Sequence, residues 1–363
     1  MTDAAAPPPR PAAEIDPAAL QQAVRLVRER DAAAQLCIIR DGVVVLDASV
    51  RCADDALFWT FSAGKPFVTV LLLMLAERGL VDLDESVASY WPEFARNGKS
   101  AITIRHVLQH RSGFATTGSP VADALAMSDW PRMIGRIERT RPRHPPGWGP
   151  AYQWIAYGFI IGEIAQRVSG RPLPELLSTE ILEPLELADT FLGLPPHHRA
   201  RSVATAAPGV SGAAVRSLVN RPRTRAAVIP SAGISTTARD LARFYLALLG
   251  GGDAPRLLAP QTLADALTPT SDGMLDRFAR TPIRWSNGFQ IGGSRGVPGA
   301  VNPMGTLSSP RAFGHNGSNC CMAWADPDRR LVFSYLTSTL PPARERFDHL
   351  VAVADAVLAG CPG

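Results

Sequence analysis

Lysine is nearly missing from this chain. Of 37 basic residues, only Lys65 and Lys99 are not arginine. Long apolar runs are also missing: the longest, Phe67 to Ala76 with Thr69 inside it, is too short to cross a bilayer. The five cysteines (Cys37, Cys52, Cys320, Cys321 and Cys361) form no C-x-x-C and no even-numbered framework, which excludes a disulfide scaffold and suits a reducing compartment. The adjacent Cys320 and Cys321 read as small residues filling a tight strand. His106 and His110 lie one helical turn apart without a third ligand, and His197-His198 has no acid or cysteine at ligand spacing, so no metal and no cofactor is expected.

Hydrophobic residues make up 46% and charged residues 19%, which together describe a globular protein able to bury a large core. The net charge of +4 is mild. Arginines cluster from Arg136 to Arg143 and from Arg216 to Arg225, and both clusters read as solvated loops; the alternative is a basic rim for an anionic substrate or cofactor tail. No aromatic interleaving or reader motif accompanies them, which argues against nucleic acid. Residues 1–18 read as a loose, proline-rich polar arm without the apolar core of a signal peptide, and a cytoplasmic location is the expectation.

Asp16 to Arg30 carries Leu20, Val24 and Val27 at helical spacing. Two β-forming runs, Leu36 to Arg40 and Val43 to Leu46, flank Asp41-Gly42, a strong hairpin signal. Leu57 to Phe61 is a third short apolar segment. A helix is predicted from Phe67 to Arg78, stopped by Gly79. The middle of the chain holds helical patterns at Ile104–Gln109, Ala122–Met127 and Tyr157–Val168 between Pro/Gly/Arg loops. Ser235 to Asp240 opens a further helix through Leu249. Strand-like runs follow at Gly288–Ile291, Cys321–Trp324 and Leu331–Leu336, and a last helix is predicted over Ala343–Leu358. Strands at both ends with helices between imply an α+β fold: one antiparallel sheet built from both chain ends and flanked by helices, plus a central helical lobe. The expected division is a single domain over 19–363, with a sheet lobe at about 19–79 and 226–363 and a helical lobe at about 80–225.

Of the two lysines, Lys65 stands in Phe61-Ser62-Ala63-Gly64-Lys65-Pro66. An arginine stays protonated at any accessible pH, whereas a buried lysine can be made to give up its proton. Proline is tolerated only in the first turn of a helix, so Pro66 places the helix start near Ser62 or Ala63. Ser62 then sits in the field of free N–H groups, and Lys65, three residues on, can reach its hydroxyl. Ser-x-x-Lys is one way to activate a serine for acyl transfer.

Three further blocks accompany it: Pro146 to Tyr152 before the helix of Tyr157; Phe313-Gly314-His315-Asn316-Gly317-Ser318 before a strand; and the run from Leu83 through His110 to Phe114. With Gly79 to Asp84, Gly162 to Gly170 and Ser235 to Gly252, their order and spacing resemble the serine β-lactamase/penicillin-binding-like (transpeptidase-like) hydrolases, class C-like branch, which includes family VIII carboxylesterases. The resemblance covers about residues 30 to 350. It implies a nucleophile at Ser62, a proton acceptor at Lys65 and a partner tyrosine at Tyr152. It aligns His315-Asn316-Gly317 with the family's Lys-Thr-Gly strand, and assigns the oxyanion to the backbone N–H groups of Ser62 and Ser318.

Two departures bear on substrate. Gln153-Trp154 follows Tyr152, so Trp154 replaces the family's amide-binding asparagine, and His315 replaces a lysine. Both remove groups suited to a β-lactam and favour the esterase branch. Tyr152 also admits the role of a packed aromatic, His315 that of ordering the strand, and Trp148 and Trp154 that of core. Gly292-Gly293-Ser294-Arg295-Gly296 matches G-x-S-x-G, but Val297-Pro298-Gly299 follows where a helix is required, so Ser294 is discounted. The resulting expectation is a serine hydrolase of an ester or related activated acyl compound, a small-molecule substrate, acting through acyl-Ser62. The alternatives are an acyltransferase discharging the same intermediate to an alcohol or amine, and a silent binding protein on the same fold.

Overall fold

The computed structural model describes residues 15–253, 255–293, 302–342 and 345–362. Most of the expected arm, and Ser294 with its loop, lie outside them; Pro17 and Ala18, placed in the arm from sequence, belong to the first helix. That helix, Pro17–Glu29, is capped by Asp16, whose side chain accepts the Ala18 N–H at 2.8 Å.

Six antiparallel strands form the main sheet, in the spatial order Val43–Val50, Ala34–Arg40, Leu331–Thr337, Cys321–Asp326, Phe313–Gly317, Gln290–Ile291. The first two come from one end of the chain and the rest from the other. Asp41 (φ 52°) and Gly42 (φ 82°) make the hairpin turn in the left-handed region, the geometry that matches strand twist.

Alternate side chains of each central strand serve different cores. Leu36, Ile38, Phe333, Tyr335, Met322 and Trp324 pack with the first helix and the last one, Asp348–Gly360. Cys37, Ile39, Val332, Leu336, Ala323 and Ala325 face the opposite core, which holds the helices Lys65–Glu77 and Ala238–Leu249. With both faces covered, the side chains of Ala34–Arg40, Leu331–Thr337 and Cys321–Asp326 bury completely, each large apolar one contributing roughly 1.5–3 kcal/mol of hydrophobic stabilisation.

The helix Lys65–Glu77 is buried all round from Lys65 to Leu75. It therefore lies between the sheet and the helices of the middle segment rather than on the surface. Phe67 stacks on Phe244 with ring centroids 4.1 Å apart. Tyr157, from the helix Ala156–Ser169, meets the Thr69 hydroxyl at 2.7 Å.

Several expectations shift by physical cause. The helix is expected to begin at Ser62 or Ala63, but the chain forms a 3-10 turn over Phe61–Gly64 and becomes α-helical only at Lys65, with Pro66 still in the first turn. Ser235 and Thr236 pair as a strand with Phe58–Trp59 and Phe191–Leu192, leaving Thr237 to cap the next helix. The last helix starts at Asp348; residues 343–344, included in it from sequence, lie outside the described ones. Arg225, read as solvated, is buried: it donates to the Val219 and Val203 carbonyls, Thr205 and Asn220, and lies over the Trp59 ring. His106 is spent on structure, its Nδ1 meeting the Thr103 N–H and hydroxyl at the start of Ile104–Leu108. Cys320 and Cys321 are buried free thiols in and beside a strand.

The second lysine also has a structural task. Lys99 is buried and donates to the carbonyls of Arg96 (2.6 Å), Glu138 (2.8 Å) and Thr140 (2.6 Å). Glu138 and Thr140 lie at the end of the helix Trp130–Arg139, whose last carbonyls have no intrahelical partner. Three acceptors around one point suit a tetrahedral ammonium, not a planar guanidinium. Lys99→Ala would strand buried carbonyls and should cost about 3 kcal/mol. Lys99→Arg should not restore the loss; urea denaturation of the three proteins measures both.

Candidate active site

Phe61 carries φ 50°, a left-handed value for a bulky residue, and turns the chain so that Ser62 enters the 3-10 turn ahead of the helix. The turn lies against the strand Phe313–Gly317: a Cβ on Gly317 would collide with the Thr60 carbonyl oxygen, so glycine alone permits this approach. Ser62 Oγ is 2.9 Å from Lys65 Nζ and 2.6 Å from Tyr152 Oη. The structure thus brings together all three residues singled out as chemical partners.

Lys65 is wholly buried, and its Nζ also donates to the carbonyls of Trp154 and Ser231, each at 2.9 Å. Burial holds its pKa well below the ordinary lysine value. A neutral amine has two N–H bonds and one lone pair. With both N–H bonds directed to carbonyls, the lone pair is left for the Ser62 hydroxyl. Burial likewise raises the Tyr152 pKa, the bond to Ser62 partly opposing it, so the phenol keeps its proton. A hydroxyl held between an amine lone pair and a phenolic O–H can lose its own proton on one side and have another supplied on the other.

Tyr152 is fixed from several sides. Its ring stacks on Trp285 (5.3 Å, 4°) and meets the edge of His110 (4.9 Å, 72°). Its backbone N–H donates to both carboxylate oxygens of Asp276, at 3.2 and 3.0 Å. Asp276 is fully buried and also accepts the N–H groups of Phe278 (2.9 Å), Ala279 (2.8 Å) and the Trp285 indole (3.0 Å). One carboxylate thereby holds both the tyrosine's backbone and the ring stacked on it.

His315 is buried in the strand Phe313–Gly317. Its Nδ1 lies 2.8 Å from the Asn316 carbonyl, which assigns the proton to Nδ1 and leaves Nε2 as an acceptor without a partner among the described residues. Burial, with Lys65 adding to it, pushes its pKa down to about 3. The imidazole is neutral and does not replace the cationic lysine that the resembled family carries there. Ser318 follows in the left-handed region (φ 49°) and is exposed. The backbone N–H groups of Ser62 and Ser318 donate to no acceptor among the described residues. The half-buried Trp154 contributes its carbonyl to Lys65, and its side chain packs against the core. Trp148 is exposed and lies under a guanidinium, that of Arg277.

Sequence reasoning missed Ser231, His110, Asp276 and Trp285. Ser231 acts through its carbonyl, which no residue type advertises; its hydroxyl ties the Ile155 carbonyl (2.6 Å) to the Gly158 N–H (2.7 Å). His110 is legible as a helical neighbour of His106 and as part of the block running to Phe114, without a role of its own; it lies beyond the helix at φ 56° and accepts the Gln153 N–H at 3.3 Å. Asp276 lies in a two-residue strand, Leu275–Asp276, too short to leave a pattern in the sequence, 124 residues from the tyrosine it holds.

Residues 23–358 match the beta-lactamase family, and the chain belongs to it. Among its relatives are the esterase/beta-lactamase LipL of Mycobacterium tuberculosis, 29% identical over 354 residues (86% of this chain, 79% of LipL), and the esterase EstB of Burkholderia gladioli, 27% identical over 310 residues (76% and 77%). The solved structure of EstA from Arthrobacter nitroguajacolicus superposes with a TM-score of 0.78 at 26% identity, covering 95% of this chain and 96% of EstA.

Asp276→Asn keeps the shape but replaces one acceptor oxygen by an amide that meets N–H groups with its own. It should cost about 2 kcal/mol in urea denaturation. With any ester turned over by the wild type, kcat should fall by more than KM rises, because Tyr152 and Trp285 lose their common anchor. A variant with lower stability and unchanged kcat would restrict Asp276 to folding.

Proposed function

We propose that this protein is a serine hydrolase that cleaves an ester or related activated acyl compound through an acyl-Ser62 intermediate. The observation that carries this reading is the bracketed hydroxyl: Ser62 Oγ at 2.9 Å from a buried lysine amine and 2.6 Å from a buried phenol. In this reading Lys65 takes the Ser62 proton as Oγ bonds to the acyl carbon. The backbone N–H groups of Ser62 and Ser318 receive the oxyanion; one such donor is worth about 3 kcal/mol in the transition state. Tyr152 gives its proton to the departing oxygen and regains one from the proton Lys65 took. Water then repeats the sequence in reverse and frees Ser62.

The relatives named esterases support ester cleavage. The neutral His315 and the absence of an asparagine at Trp154 argue against recognition of a β-lactam's carboxylate and amide. An acyltransferase uses the same intermediate, with an alcohol or amine replacing water. The three assembled side chains disfavour a silent binding protein.

Intact-mass analysis with short aryl esters should show an acyl adduct on the wild type and none on Ser62→Ala, whose turnover should fall at least about a thousandfold. Equal turnover by Ser62→Ala would end the nucleophile assignment. New ester or amide products growing with added alcohol or amine would convert the reading to a transferase.

The pH dependence has a definite sign. Lys65 acts as a base only when unprotonated, so kcat/KM should fall on acidification, with an apparent pKa well below the ordinary lysine value. Because His315 is already neutral, His315→Asn should leave that limb in place. Lys65→Arg, permanently charged, should lose the rate at every pH. An acid limb that moves with His315 instead would reassign the base.

A further inference from the structure

Beside Tyr152 lies a cavity of about 550 Å³ rimmed by Arg139, Arg141, Arg143 and Arg277, with Phe278 and Ala151 on its inner side. No aspartate or glutamate lines it. All four arginines are exposed, and among the described residues none of their guanidiniums is paired with a carboxylate. Other exposed arginines stand in ion pairs, among them Arg105 with Asp84, Arg171 with Glu175 and Arg243 with Glu186; what marks this cavity is that four unpaired ones line a single space. Even Arg136, on the helix that leads into this rim, is engaged by Thr117 at 2.9 Å and by the buried Asp123. Like charges gathered without counter-charge raise the local potential and favour an anion.

The rim is held in place. Lys99 binds the carbonyls of Glu138 and Thr140, and the Arg143 N–H donates to the Gly113 carbonyl at 2.8 Å. The Arg277 guanidinium lies 3.6 Å from the Trp148 ring centroid, and its backbone N–H bonds the Pro150 carbonyl at 3.1 Å. Such anchoring reduces the entropy lost when a ligand is bound. Two of its lining residues place the cavity next to the reacting centre: Ala151 precedes Tyr152 in the chain, and the Phe278 ring is 6.2 Å from the Tyr152 ring.

We propose that this cavity binds a phosphate carried on the leaving-group portion of the acyl substrate. The inference rests on the acyl-Ser62 reading, in which Tyr152 protonates the departing oxygen, so that the space beside Tyr152 belongs to the leaving group. Four guanidiniums suit the higher charge and several oxygens of a phosphate better than a single carboxylate. The volume holds more than the phosphate itself and leaves room for the linker joining it to the scissile bond.

The test compares kcat/KM for three acetyl esters: that of 4-nitrophenol, that of 4-hydroxyphenyl phosphate, and that of 4-hydroxybenzoate. After correction for leaving-group reactivity with each ester's hydroxide rate, the wild type should favour the phosphate ester over the neutral one by about tenfold at low salt. Added potassium chloride should shrink that preference. The Arg141→Gln/Arg277→Gln double variant should lose it, while Arg243→Gln, a paired arginine elsewhere, should keep it. A preference for the benzoate ester equal to or above that for the phosphate ester would overturn the phosphate assignment. Equal corrected rates for all three, with the acyl adduct still forming on Ser62, would overturn the subsite and leave the nucleophile standing. If no ester acylates Ser62, the nucleophile reading fails, and calorimetric titration with inorganic pyrophosphate decides the site: binding lost in the double variant supports it, and no binding to the wild type ends it.

Discussion

The buried amine of Lys65 is the point on which the site depends. Its three neighbours come from three separate parts of the chain: the Ser62 turn, the loop before the helix Ala156–Ser169, and the loop before the strand Ile234–Thr236. An ammonium deprived of water is costly, and a neutral amine with its N–H groups unmet would also be penalised. The two carbonyls remove the second penalty without supplying the negative charge that would remove the first. The consequence is a lysine buried so as to favour its basic form. A carboxylate in place of either carbonyl would have stabilised the cation and quenched the base.

The same economy appears around Tyr152, where the charge is kept one step away. Asp276 is a buried carboxylate, yet it addresses the tyrosine's backbone and the Trp285 indole, not the phenol. Four N–H groups satisfy it locally, so its charge is spent on geometry. Rings then carry that geometry to the hydroxyl: Trp285 stacked on one face of Tyr152, His110 against its edge. The phenol is aimed at Ser62 by packing, and its proton is retained by burial.

What was legible in the sequence was whatever depends on residue type at short range. Asp41-Gly42 announced its hairpin because its backbone conformation selects those residues, and Pro66 marked a first helical turn because it has no N–H to spare, though the α-helix begins at Lys65 and not at Ser62 or Ala63. Ser62 and Lys65 were visible as three-residue neighbours. Tyr152 was legible only through resemblance, since nothing local ties it to a serine 90 positions away. Ser231 and Asp276 stayed hidden because one acts through a carbonyl common to all residues and the other through a contact that only the folded chain creates. Arg225 was misread for a related reason: a cluster of arginines on paper does not reveal which member turns inward to bond four oxygens.

The scarcity of lysine acquires a physical meaning when both examples are compared. Each is a buried nitrogen with three oxygens around it, and each sits where a planar guanidinium could not converge on them. They differ in what they organise. Lys65 has a hydroxyl among its three neighbours, and a proton can move between the two. Lys99 has only carbonyls, and it fixes the end of the helix Trp130–Arg139 and with it the arginine rim beside Tyr152. Arginine in this chain serves where a charge must remain a charge, and lysine where a compact donor must be enclosed. The reacting hydroxyl and the basic cavity are therefore built from opposite uses of the two cations, on adjoining sides of one tyrosine.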